Sequence, residues 1–121
     1  MRRWTDLEAW RGAWWARRAL RSARRQLRDR GIEGLSVPAP RHATVRAERG
    51  VHAVLRRVPL TCLERAVVLQ TWRTALDDPR EVVIGVRPGE QFVAHAWLDG
   101  ENDPLAMQFH ELMRLPPAGV A

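Results

Sequence analysis

A thiol, an imidazole and a carboxylate, the three groups that together carry out acyl transfer, occur in this sequence in the order Cys62, His95 and then Asp99 or Asp103. Cys62 is the only cysteine. It lies in Pro59-Leu60-Thr61-Cys62-Leu63-Glu64-Arg65-Ala66, where Thr61 followed three residues later by Glu64 reads as a capping box. In that motif the threonine side chain accepts from the Glu64 amide and the glutamate accepts from the Thr61 amide, which puts Cys62 at the first helical position. Free amides and the positive end of the helix dipole face a sulfur placed there, and both favour a thiolate. His95 falls in the middle of an apolar run, where an unpaired imidazole is costly, so it must find a partner. Nucleophile, general base and orienting carboxylate are the roles this order offers. Each residue also has a plainer use, the cysteine as a small apolar core residue and the histidine as a satisfied core side chain.

The elements that must hold these groups follow from local pattern. The helix that opens at Cys62 is expected to run to about Leu76, apolar on nearly every side at Ala66-Val67-Val68-Leu69 and closed by Asp77-Asp78-Pro79, so it should be central. From Glu81 the period changes. Val82-Val83-Ile84-Gly85-Val86 and Phe92-Val93-Ala94-His95-Ala96-Trp97-Leu98, separated by Pro88-Gly89, predict an antiparallel strand pair. Val93, His95 and Trp97 share one face of the second strand, and the apolar residues on both faces predict cover on both sides. Asp99 to Asn102 makes a further turn, and Leu105 to Phe109 is expected to return as a third strand. If 99–101 is a three-residue connection, Trp97 pairs with Asp103 and places that carboxylate on the face of His95, roughly 7 Å away on the diagonal. Asp99 shares the face but lies roughly 13 Å along the strand. The tail from Leu112 is expected to lose order toward Ala121.

Upstream, residues 4–30 predict a long helix starting near Thr5 or Asp6 and stopping at Gly31. Leu7, Trp10 and Trp14 line up at helical spacing, with Arg17, Arg21, Arg24, Arg25 and Arg28 further along that side; Ala16, Leu20, Ala23 and Leu27 form a second, thinner stripe. Residues 31–43 read as a connector, and residues 44–57 as a shorter helix with Val45, Val51, Val54 and Leu55 as apolar positions and Gly50 as its weak point. His42 and His52 read as surface residues. The fold class is therefore α+β: N-terminal helices, then a central helix bearing Cys62 packed on a small antiparallel sheet. One compact domain is expected, divisible into a basic helix with its connector (1–43) and a core (44–121).

Composition bounds the function. One cysteine excludes disulfide frameworks and Cys-based metal clusters, and suits a reducing cytoplasm better than secretion. No apolar run approaches the length of a membrane span or a signal-peptide core. All 20 basic residues are Arg, which reads as codon bias. Residues 1–60 hold 15 Arg against 5 acids, a balance of +10, whereas 61–121 hold 5 Arg against 9 acids, a balance of −4. The two halves are expected to do different jobs.

Cys62-Leu63-Glu64-Arg65-Ala66, Val83-Ile84-Gly85-Val86-Arg87, Phe92-Val93-Ala94-His95-Ala96-Trp97-Leu98 and Asn102-Asp103 together resemble the transglutaminase-like cysteine peptidases of lasso-peptide biosynthesis. The likeness covers roughly residues 51–115 and points to the split form of that family, in which a separate small protein recognises the leader. It implies a papain-like or transglutaminase-like core, Cys62 as nucleophile, His95 as base and Asp103 as orienting carboxylate. The chain between His95 and Asn102-Asp103 is shorter than the family pattern, and Asp99 stays in competition for the third role. The implied partners are the leader region of a ribosomally made precursor, the leader-recognition protein and an asparagine-synthetase-like cyclase, with neither nucleic acid nor a membrane span. No metal or organic cofactor is required. Two other readings stand beside this one: a binding module using the Trp/Arg helix for RNA, membrane or protein, with Cys62 in the core, and a transglutaminase passing the acyl group to an amine.

Overall fold

The computed structural model describes residues 2–89 and 91–117, with the side chains of residues 2–6 set aside. Helix α1 spans Arg2–Arg30, α2 Glu48–Arg57 and α3 Cys62–Ala75. Strands β1 (Val82–Arg87), β2 (Val93–Leu98) and β3 (His110–Leu115) form one antiparallel sheet in the order β2-β1-β3. Helices precede a small sheet, so the fold is α+β, consistent with a transglutaminase-like core.

Local chemistry accounts for the ends of α3. Glu64 N donates to Thr61 Oγ1 at 3.1 Å and Thr61 N to Glu64 Oε1 at 2.8 Å, the reciprocal pair of a capping box. At the other end Asp77 takes a positive φ of 63°, and the amides of Asp77 and Asp78 turn back to Thr74 O and Arg73 O at 3.0 and 2.9 Å. α1 runs through Thr5 and Asp6 rather than starting there, and the expected cap at either side chain lies outside the described residues.

The core is built by the thinner of the two stripes on α1. Ala16, Ala19, Leu20 and Ala23 are buried against Val51, Val54 and Leu55 of α2 and the Val67–Trp72 stretch of α3, while Trp10 and Trp14 stand 71% and 66% exposed. Small residues win the inner face because α1 and α2 cross at backbone contact. A Cβ at Gly50 would fall on Ala9 O, and one at Gly12 on Ala47 O. Gly50 therefore marks the crossing and not a break, and α2 starts at Glu48, later than residue 44, with Val45 exposed. Trp72, fully buried, donates from Nε1 to Glu48 Oε1 at 3.1 Å and packs against Trp15 at a centroid distance of 5.4 Å.

The sheet corrects two expectations. The third strand is His110–Leu115, not Leu105–Phe109, and it pairs with β1 on the side away from β2. Local bonds take the earlier segment: Asp103 Oδ1 accepts from Leu105 N at 2.9 Å, and Ala106–Gln108 winds into a 3₁₀ turn. Cover on β2 is one-sided as well. Ala96 and Leu98 are buried beneath α3, whereas His95 and Trp97 on the opposite face are only half-buried. Among the described residues, none of α1 to α3 is seen to cover that second face, where Phe109 from the loop returning from β2 packs on the His95 ring.

Candidate active site

The hydrogen-bond alternation of an antiparallel pair determines which amides of β2 are unused. Asp99 N donates to Glu81 O at 2.9 Å, and with Gly85 opposite His95 and Val83 opposite Trp97, the odd-numbered residues of β2 bond inward to β1. The amide of Ala96 thus points out of the open edge. Cys62, at the first turn of α3, meets it there: Ala96 N donates to Cys62 Sγ at 3.3 Å. The thiol consequently lies against the backbone of the residue that follows His95.

His95 is held from the other direction. Its Nε2 lies 2.8 Å from Asp103 Oδ2, a part-buried contact. Burial works against ionisation of Asp103, but the hydrogen bond from His95, the Leu105 amide and the nearby charges of His95 and Arg65 outweigh it and hold the carboxyl below its ordinary value. An ionised carboxylate only accepts, so Nε2 carries the proton in this contact. The ring also rests on Trp97, at 5.7 Å and an interplanar angle of 24°, and on Phe109, at 5.2 Å.

The structure thus brings the Cys62 sulfur to the amide that follows His95 and pairs His95 with Asp103, and it removes Asp99 from the imidazole. The Asp99 carboxylate pairs instead with Arg114 Nη1 at 3.1 Å, at the surface. The expected register is corrected: Asp103 does not pair with Trp97 across a hairpin but reaches the imidazole from a turn in which its own amide bonds Glu101 O at 3.0 Å.

Three supporting contacts escaped the sequence reading. Gly85, opposite His95, leaves the space that Trp97 and Phe109 fill, since a Cβ there would lie 2.9 Å from each. A glycine inside a β-branched run was the available signal. Arg65, one turn into α3, reaches Glu101 at 3.5 Å and adds its charge near Asp103. Glu64, besides closing the cap, takes Arg24 Nε on Oε2 at 3.1 Å, so α1 is fastened to the start of the Cys62 helix.

A helix-borne thiol at a sheet edge and a strand imidazole paired with a carboxylate are the groups that a thiol-dependent acyl-transfer site in a small α+β domain requires. The chain belongs to the transglutaminase-like superfamily, whose profile matches residues 6–113. Such domains are in general cysteine proteases and transferases. The match takes in α1, which the sequence likeness over 51–115 had left aside. No curated protein and no solved structure matches the chain significantly.

Proposed function

We propose that this protein is a cysteine peptidase that removes the leader from a lasso-peptide precursor, with a separate small leader-binding protein presenting the substrate. The observation that supports it most directly is the contact of Cys62 Sγ with the amide next to His95, combined with the Nε2 contact to Asp103. The thiol proton passes to Nδ1 of His95, and the sulfur attacks the scissile carbonyl. His95 then protonates the departing amine as the C–N bond breaks, leaving the leader as a thioester on Cys62. Water, losing a proton to His95, cleaves the C–S bond and releases the leader carboxylate. The freed amine is the N-terminus of the core peptide, the group an asparagine-synthetase-like cyclase would need next. A lone thiol suits the reducing cytoplasm in which this maturation would take place. Within the superfamily, transfer to an amine instead of water shares the same thioester and is the alternative reading.

The test is in two arms. Iodoacetamide should label Cys62 faster in the native protein than in His95→Ala, whatever the substrate. Cys62→Ala and Cys62→Ser should retain the native melting temperature and lose removal of the leader from a precursor encoded beside the protein. Native-rate cleavage by either cysteine variant would overturn the peptidase, and labelling indifferent to His95 would favour the binding module.

A further inference from the structure

A groove of about 470 Å³ runs along the second half of α1, outside the catalytic constellation. It is lined by Leu20 and Val58 together with five arginines, Arg17, Arg21, Arg24, Arg25 and Arg28. Two observations connect it to the candidate active site. Arg24 bonds both Pro59 O and Glu64, the residue that caps the Cys62 helix. Val58 lies four residues before Cys62, at the C-terminal cap of α2. The groove therefore opens beside the thiol's own helix start.

Its charge is largely uncompensated. Among the described residues, Arg24 pairs with Glu64 and Arg28 with Asp29, while Arg17, Arg21 and Arg25 have no carboxylate within 4.0 Å. From Arg17 to Arg28 the helix rises about 16 Å, the reach of about five residues of extended chain. Guanidinium forks at one-turn spacing suit planar carboxylates.

We propose that this groove binds an acidic, extended stretch of the substrate peptide, holding it by its carboxylates while an adjoining peptide bond reaches Cys62. The inference rests on the peptidase reading above. The lining favours a peptide over nucleic acid, because none of its residues is aromatic and single-stranded nucleic acid relies on stacking platforms. Its concavity favours a chain over a lipid surface. Arg24 acts as a fixed point within the site, since Glu64 and Pro59 orient it before any ligand arrives.

The experiment is fluorescence anisotropy on the full chain, with fluorescein-labelled hexaglutamate, hexaglutamine and hexathymidylate as probes, and co-sedimentation with phosphatidylserine vesicles. Hexaglutamate should bind with an affinity that falls as salt rises, and hexaglutamine should not bind. Arg17→Glu/Arg21→Glu should weaken hexaglutamate binding about tenfold or more, whereas Arg46→Glu/Arg49→Glu, an equal change of charge at exposed positions elsewhere, should leave it within about twofold. Arg17→Lys/Arg21→Lys, which keeps the charge, checks that the site survives substitution. Absence of hexaglutamate binding, equal losses in the two Glu pairs, or tighter hexathymidylate or vesicle binding abolished by the first pair would each overturn the proposal. The native protein's own labelling result separates this inference from the peptidase reading: hexaglutamate binding by a protein whose Cys62 labels no faster than in His95→Ala would keep the groove and lose the enzyme, and the converse result would do the reverse.

Discussion

His95 is held through Nε2, since Asp103 lies 2.8 Å from that nitrogen while Asp99 is engaged with Arg114. Asp103→Asn should therefore lose far more leader removal, and far more His95-dependent thiol labelling, than Asp99→Asn. Equal losses from the two would detach the carboxylate from the imidazole's function. The same contact has an acid limit. The folded-state carboxyl titrates below the ordinary 3.8, so its stabilising contribution is complete above that pH and disappears as pH falls through the lower folded-state value. The gap in melting temperature between the native protein and Asp103→Asn should accordingly be constant down to about pH 4 to 5 and close below it. A gap that instead widened in acid would mean the carboxyl is protonated in the folded protein at higher pH than this contact allows.

At the scale of the element, the start of α3 does two things at once: it opens a helix and it presents the thiol. Thr61→Val removes the acceptor for the Glu64 amide and should cost about 1 kcal/mol of stability, with slower labelling of Cys62. Unchanged melting together with unchanged labelling would show that the cap does not position the sulfur. This cap was legible in the sequence because capping chemistry is complete within four residues, and both ends of α3 followed from it and from Asp77-Asp78-Pro79. β1 and β2 were legible for a similar reason, their period and the turn between them being local. The third strand was not. Whether a strand adds beside β2 or crosses to β1 depends on partners far along the chain, and the segment chosen, Leu105 to Phe109, is bent by the bonds that Asp103 and Ala106 make. Asp103 was carried over from the resemblance and preferred to Asp99 on a hairpin register, and that register was wrong, because a loop rather than a strand delivers it to His95.

For the whole molecule, the inner face of α1 was the least legible feature. A Trp line and an Ala line compete on that helix, and burial of the larger side chains is the default expectation. The crossing with α2 reverses it, since backbones in contact at Gly12 and Gly50 leave room only for small residues on that side. Gly50→Ala should force the two helices apart and destabilise the protein by on the order of 2 kcal/mol or more in urea unfolding. Native-like stability would show that the helices part without cost. The sheet has a different problem at its margins, because a strand with unpaired amides is a template for another chain. Along β2 the start of α3 and the Cys62 sulfur occupy that margin. Along β3, Leu112 and Met113 are exposed apolar residues, but they sit between Glu111 and Arg114, which pair with each other at 2.9 Å, and a bulge at Ile84/Gly85 interrupts the register beside them. Charged flanks and a distorted register are what keep an apolar outer strand from recruiting copies of itself. The short sheet can thus leave one face partly open while both of its margins carry features that oppose edge-to-edge pairing.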